Sequence, residues 1–189
     1  MGFPEKSLIS LEGYLELETN SLEKHEYYKG EIFAMAGATI EHNKIASNLL
    51  GELYNKLKGG PCKVFTSDLR LNVASNTLYT YPDITVICSE IEKIKGIFDT
   101  VTNPTVIVEI LSESTKDYDR GSKFMLYRDI PSLREYLLID STGSIHIEKY
   151  AKIDDIWQLS EFKSLADTVH IKALKIDVAM DDIYEGVYG

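Results

Sequence analysis

Apolar residues at Ile45, Leu49, Leu50, Leu53, Tyr54 and Leu57 recur at spacings of three and four. That period lays one apolar stripe along an amphipathic helix over about 40–58. Thr39 is placed to cap its first turn, and Gly59-Gly60-Pro61 stops it. Ahead of it, Ser10–Leu17 reads as a short amphipathic helix packed on the main body. Tyr27–Ala36 reads as a hairpin turning at Lys29-Gly30.

Beyond Pro61 the period shortens. Val64, Thr66, Leu69, Leu71 and Val73 fit a strand pair or a bulged strand, Leu78–Ile87 another strand, and Thr105–Leu111 a central one. The last is almost continuously apolar, as in a strand covered on both faces. Residues 88–103 are polar and predict a helical or irregular excursion. Ser114-Thr115, Asp117 and Asp119 announce a helix over about 116–129, with Phe124, Leu126 and Tyr127 inward and Ile130-Pro131 as its end. Arg134–Asp140 and Ser144–Tyr150 pair across Ser141-Thr142-Gly143. Trp157–Phe162 and His170–Leu174 continue as strands, with a short element near Met180–Tyr184. Neither a repeat nor a linker interrupts the order. It predicts an α/β sandwich around one mixed sheet, in a single domain over 1–189 with residues 1–38 packed on the core.

A chain of 189 residues is long enough for one well-buried core. No apolar run approaches the roughly 18 residues that span a bilayer. Met1–Lys6 lacks the basic and apolar regions of a signal peptide. Cys62 and Cys88 are too few for a disulfide framework and have no metal-ligand spacing. These features predict a cytoplasmic protein. The net charge of −10 weighs against a nucleic-acid partner, because phosphate neutralisation supplies most of such affinity. The densest basic set is Lys116, Arg120, Lys123, Arg128 and Arg134, interleaved with Asp117, Asp119 and Asp129.

Two acids stand out against their surroundings. Asp83 opens the run Ile84-Thr85-Val86-Ile87, and Glu109 sits inside Val106-Ile107-Val108-Glu109-Ile110-Leu111. A carboxylate in a segment bound for the interior must be paired, protonated or bound to a metal. Mg²⁺ prefers oxygen ligands and is satisfied by one or two carboxylates with waters. Asp83, Glu109 and the backbone carbonyl of Ile110 are therefore the expected ligands, on adjacent strands. Lys123, on the following helix, is placed to orient water or to stabilise charge developing on a phosphate. Plainer roles are available too. Asp83 could bond nearby backbone N–H groups at a strand start, and Glu109 could pair with Arg120 or Arg134. His42 and Glu31 are possible accessory residues. Asp68 and Arg70 fit a structural salt bridge, Tyr127 and Tyr136 core aromatics, and Asp117 and Asp119 first-turn partners of a helix dipole. No glycine-rich phosphate loop, nucleophile elbow or Cys/His cluster is present. That removes any basis for an oxidoreductase, kinase or serine hydrolase, and for an organic cofactor.

Five segments also carry a family pattern in order: Lys24–Ile32, Pro82–Val86, Val108–Thr115, Asp119–Lys123 and Glu135–Asp140. Together they closely resemble the Uma-two group, classed with restriction endonucleases in the PD-(D/E)XK nuclease superfamily, from about residue 10 to 175. The resemblance implies a restriction-endonuclease-like fold, a central mixed β-sheet flanked by helices, with additional antiparallel C-terminal strands. Asp83 matches the motif aspartate and Glu109 its second acid. Leu111 stands where the motif lysine normally sits, and the lysine looks displaced to Lys123. The resemblance thus implies a Mg²⁺- or Mn²⁺-dependent endonuclease acting on DNA, expected to work as a homodimer. The rival expectation is a non-catalytic binding or assembly module on the same fold.

Overall fold

Proline has no N–H to give a ladder and restricts the residue before it. Pro82 therefore divides the continuous run at 78–87 into two strands that belong to different sheets. This is the main departure from the expected single sheet. The computed structural model describes residues 8–35, 37–97 and 99–188. The Met1–Lys6 segment and Ala36 lie outside them.

The first part of the chain forms α1 (Leu11–Asn20), β1 (His25–Tyr28), β2 (Glu31–Ala34) and α2 (Ile40–Leu57). Then come β3 (Lys63–Thr66), β4 (Arg70–Val73), β5 (Leu78–Thr80), β6 (Ile84–Ile87), β7 (Thr100–Val101) and β8 (Val106–Leu111). An interrupted helix comes next: α3 (Lys116–Tyr118), a π-helical turn over Asp119–Lys123, and α4 (Phe124–Tyr127). The rest is β9 (Glu135–Asp140), β10 (Ile147–Ile153), β11 (Ile156–Phe162), β12 (Thr168–Ile171), β13 (Ile176–Ala179) and α5 (Met180–Tyr184).

The central sheet runs β11-β10-β9-β8-β6-β3. It is mixed: β8 and β9 are parallel, with Glu109 opposite Leu138, and the other neighbours are antiparallel. A second sheet runs β2-β1-β5-β4-β7, and β12 pairs with β13. Side chains of β8 alternate between two cores, as a period of two requires. Val106, Val108 and Ile110 face α2, α5 and the β12–β13 hairpin. Ile107 and Leu111 join Leu71, Val73 and Leu78 of the second sheet, with Phe124 and Tyr127. Glu109 has the parity of this second set, so its carboxylate enters the layer between the two sheets.

The register of β3 on β6 sets Lys63 opposite Ile87 and hence Cys62 opposite Cys88. The two cysteines form a cross-strand disulfide, which their number alone did not suggest. The described residues of 88–103 are irregular, one of the two forms expected there; the local correction is β7, which pairs in parallel with β4. None of the described helices is long and apolar enough to cross a membrane.

Candidate active site

Three elements bring the acids together. Asp83 stands at the start of β6, where the chain enters the central sheet, and its Oδ2 accepts a hydrogen bond from the Ile110 N–H at 2.7 Å. The Asp83 N–H points in turn at Glu109 Oε2, 3.4 Å away. Beyond the last paired residues of β6 and β8, these side chains replace the ladder. The two carboxylates are held side by side as a result.

Lys123 reaches them through the π-helical turn. Its Nζ lies 3.0 Å from Glu109 Oε1, 2.9 Å from Glu26 Oε1 and 3.5 Å from Asp119 Oδ1. Gly121 and Ser122 are weak helix formers inside this segment. A π turn is wider than an α turn and is often found at functional sites. Here it presents Asp119 and Lys123 together to the layer between the sheets. Tyr127 O–H donates to Glu109 Oε1 at 2.8 Å, and Thr80 O–H donates to Glu26 Oε1 at 2.5 Å. The Tyr136 hydroxyl donates to the Asp119 backbone carbonyl.

Glu109, Asp119, Lys123 and Glu26 are all buried, at 4, 4, 5 and 8% exposure. Three carboxylates thus surround one ammonium and Asp83 adds a fourth beside Glu109, an excess of negative charge in a region of low dielectric. Burial pushes the Glu109 carboxyl up to about 8; Lys123 opposes the shift, while Asp119 and Asp83 add to it. Burial would lower the Lys123 pKa, but the neighbouring acids, Glu109 first and then Glu26 and Asp119, outweigh it and hold the ammonium well above the ordinary lysine value. Burial likewise raises Asp119. Asp83 is the outlet to solvent, with its side chain 20% exposed, and His42 Nε2 sits 3.2 Å from its Oδ2. The other ring nitrogen of His42 is buried without a partner among the described residues.

The structure therefore joins Asp83, Glu109, Lys123 and His42, with the Ile110 N–H bound to Asp83. Glu31 lies at the turn of its hairpin, opposite Tyr28 and away from the Glu26 pairing position. Three contributors went unnoticed in the sequence. Glu26 lies in Lys24-His25-Glu26-Tyr27-Tyr28-Lys29, where charged and polar neighbours mask the signal that marked Asp83 and Glu109. Asp119, expected to serve the helix dipole, is an interior partner of Lys123 at the i,i+4 spacing. Tyr127, expected as a core aromatic, donates to the site. Neither arginine pairs with Glu109. Arg120 binds Glu148 at 2.7 Å and approaches Asp140 at 4.0 Å, and Arg134 donates to the carbonyls of Pro131 and Leu133. Asp68 pairs with Lys24 rather than Arg70, whose Nε donates to Thr100.

Comparison with known proteins bears on this arrangement. A family model described as "Putative restriction endonuclease" matches residues 11–181, the span that holds every one of these groups. The chain belongs to the Uma-two family. Two uncharacterized proteins of Synechocystis sp. are similar to this Uma-two chain. One is 39% identical over 180 residues, covering 95% of this chain and 93% of its own. The other is 36% identical over 170 residues, covering 89% and 96%. The fold of the present chain is shared by a crystal structure described as a "putative nuclease" from Anabaena variabilis, with a TM-score of 0.78. That match has 19% identity and covers 95% of this chain and 99% of the other. Membership supports a nuclease role for the Uma-two chain on a restriction-endonuclease-like fold.

The donor set fits a hard divalent cation in type. Asp83 and Glu109 offer carboxylate oxygens, and the surplus of acids over Lys123 favours an added positive charge. No three His, Cys, Asp or Glu side chains converge as a ligand set among the described residues. The fit rests on the two carboxylates of Asp83 and Glu109, few enough protein ligands for Mg²⁺ to keep several of its own waters.

Proposed function

We propose that this protein is a metal-dependent endonuclease that hydrolyses phosphodiester bonds of DNA, with Mg²⁺ or Mn²⁺ held by Asp83, Glu109 and the Ile110 carbonyl. The observation that carries the proposal is the convergence of Asp83, Glu109 and Lys123, drawn from three separate elements. When bound, the metal supplies a more acidic water and neutralises charge on the phosphate. The protein's own part is positional. Asp83 and Glu109 are fixed against each other by the Ile110 and Asp83 N–H groups. Lys123 stays protonated and lends positive charge to the oxygens on which negative charge develops. Glu26 and Asp119 fix its ammonium, and Tyr127 fixes the near oxygen of Glu109. His42 orients the exposed edge of Asp83.

One observation favours the rival. Lys123 and Tyr127 already contact Glu109, and Asp83 already serves the Ile110 N–H, so the acids are satisfied as a purely structural set. A binding or assembly module would need nothing more.

The two readings separate in a cleavage assay on mixed-sequence DNA with Mn²⁺ or Mg²⁺ and a chelator control. Alanine is a poor probe here, because removing Asp83 or Glu109 also removes a backbone acceptor or a buried ion-pair partner. Asp83→Asn and Glu109→Gln keep the shape and remove the charge. Both should lose cleavage by at least about a hundredfold, the lower range for one catalytic electrostatic group. Undiminished cleavage by both variants would refute the assignment.

A further inference from the structure

Tyr118 closes α3, directly ahead of the π-helical turn, and its ring faces the site that the turn builds. Lys123 Nζ lies 5.9 Å from the ring centre, at the outer limit of a cation–π contact. Burial first, then the charges of Glu26, Asp119 and Glu109, push its hydroxyl up to about 12 against the opposing charge of Lys123. The hydroxyl therefore stays protonated. Tyr127 and Tyr136 spend theirs on Glu109 and on the Asp119 carbonyl, whereas the Tyr118 hydroxyl has no hydrogen-bond partner among the described residues. Tyr118 is 37% exposed, although Glu109 and Lys123 close by are 4 and 5% exposed. A ring that faces the buried ammonium and also meets solvent borders the opening of the site.

A second aromatic borders the same ammonium from the other sheet. Phe33 of β2 stands directly opposite Glu26 of β1 in the antiparallel register. Opposite residues share a face of the sheet, and the Glu26 carboxylate on that face reaches Lys123 at 2.9 Å. Phe33 is 47% exposed, on the outer strand of its sheet. Single exposed aromatics need no explanation. These two, however, border the cation that the nuclease reading sets beside the reacting phosphate.

We propose that Tyr118 and Phe33 are the base-stacking platform of the site, and that its substrate is DNA with unpaired nucleotides beside the reacting phosphate. This rests on the nuclease reading and adds the substrate class to it. Charge points the same way. A duplex carries one negative charge per roughly 1.7 Å of its axis and is held largely by cations that neutralise it. Here Lys116 is paired with Glu113, Arg120 with Glu148 and Lys24 with Asp68, on a chain of net charge −10. Stacking needs no cation. Every base has a π face, and stacking on aromatic side chains is a main source of single-strand affinity. Bases inside a duplex are already stacked on one another and must be taken out to reach such a platform.

Fluorescence anisotropy of a labelled, mixed-sequence single strand and of its duplex tests this on the full chain, with Ca²⁺ as the hard cation. The readout is binding, so it does not depend on turnover. The wild type should bind the single strand about tenfold more tightly than the duplex, the order of one stacked base. Tyr118→Ala should weaken single-strand binding about tenfold, and Tyr118→Phe, which keeps the ring, should retain it. Phe33→Ala should weaken it in the same direction, and each variant should keep the wild-type circular dichroism spectrum. Equal affinity for the two forms of DNA, or a single-strand affinity indifferent to Tyr118→Ala, would overturn the inference and leave duplex cleavage standing. Tyr118→Phe as weak as Tyr118→Ala would assign the effect to the hydroxyl and overturn the platform. An unaltered Phe33→Ala would strike Phe33 from it. Failure to bind either form would overturn the inference too, and the cleavage assay then judges the nuclease reading by itself.

Discussion

At the scale of single residues, the site turns on how many carboxylates one lysine must serve. Removing the one cation that the described residues bring to this buried set leaves uncompensated charge, which costs about 3–5 kcal/mol in comparable cases. Lys123→Met should destabilise the protein by that order in chemical denaturation at pH 8. The loss should shrink as pH falls below about 8, where Glu109 takes up a proton. The same carboxyl predicts a pH dependence for the metal-free protein. Its folded-state pKa of about 8 stands above the ordinary 4.5, so the native chain binds a proton that the unfolded chain releases between those values. Its contribution to stability is complete below 4.5 and is lost as pH rises through about 8. Unfolding free energies measured in chelator should therefore decline over that window, and Glu109→Gln should flatten the decline. An identical slope in the variant would show that another group carries it. Asp83 and Glu109 could be picked out of the sequence because a lone acid in an apolar run is costly. Glu26 obeys the same rule but was hidden by short, mixed neighbours such as His25 and Lys29. Only the folded chain reveals that it shares Lys123.

At the scale of elements, the π-helical turn decides whether Lys123 reaches the acids. Gly121 has no positive φ, and a Cβ added there meets nothing within 4 Å. Replacing a conformationally free glycine by alanine at such a position gains about 0.4–1 kcal/mol through the unfolded chain. Gly121→Ala should raise the melting temperature and leave metal binding intact. A lower melting temperature would mean that the turn depends on glycine. Periodicity revealed the helix over 116–129 because Phe124 and Tyr127 are spaced for it. It could not reveal the π turn, since one widened turn alters the phase of a few residues only. The long helix α2 and strand β8 were legible from repeated signals along their length. The division of 78–87 was not, because apolar residues continue on both sides of Pro82 while the chain changes sheets. Strand β13 carries too few residues for a pattern, and it is fixed by pairing with β12.

At the scale of the whole molecule, charge and function pull in different directions. The basic set that could have served DNA is largely engaged within the chain: Lys123 is interior, Lys116 pairs with Glu113, and Arg120 pairs with Glu148. A net charge of −10 remains, and it repels a polyanion unless a cation intervenes. In this chain the acids lie where two sheets meet, with the Asp83 side chain 20% exposed. The mixed sheet and its flanking helices were foreseeable from element order. The second sheet was not, because it assembles strands distant in sequence, such as β1 with β5.

Mn²⁺ binding is the most direct measurement. Crystals soaked in millimolar Mn²⁺ should give an anomalous peak between the Asp83 and Glu109 carboxylates, beside the Ile110 carbonyl, and Asp83→Asn crystals should lack it. No peak in the wild type, with Lys123 still paired to Glu109, would contradict a metal-dependent nuclease and leave the acids as a structural set.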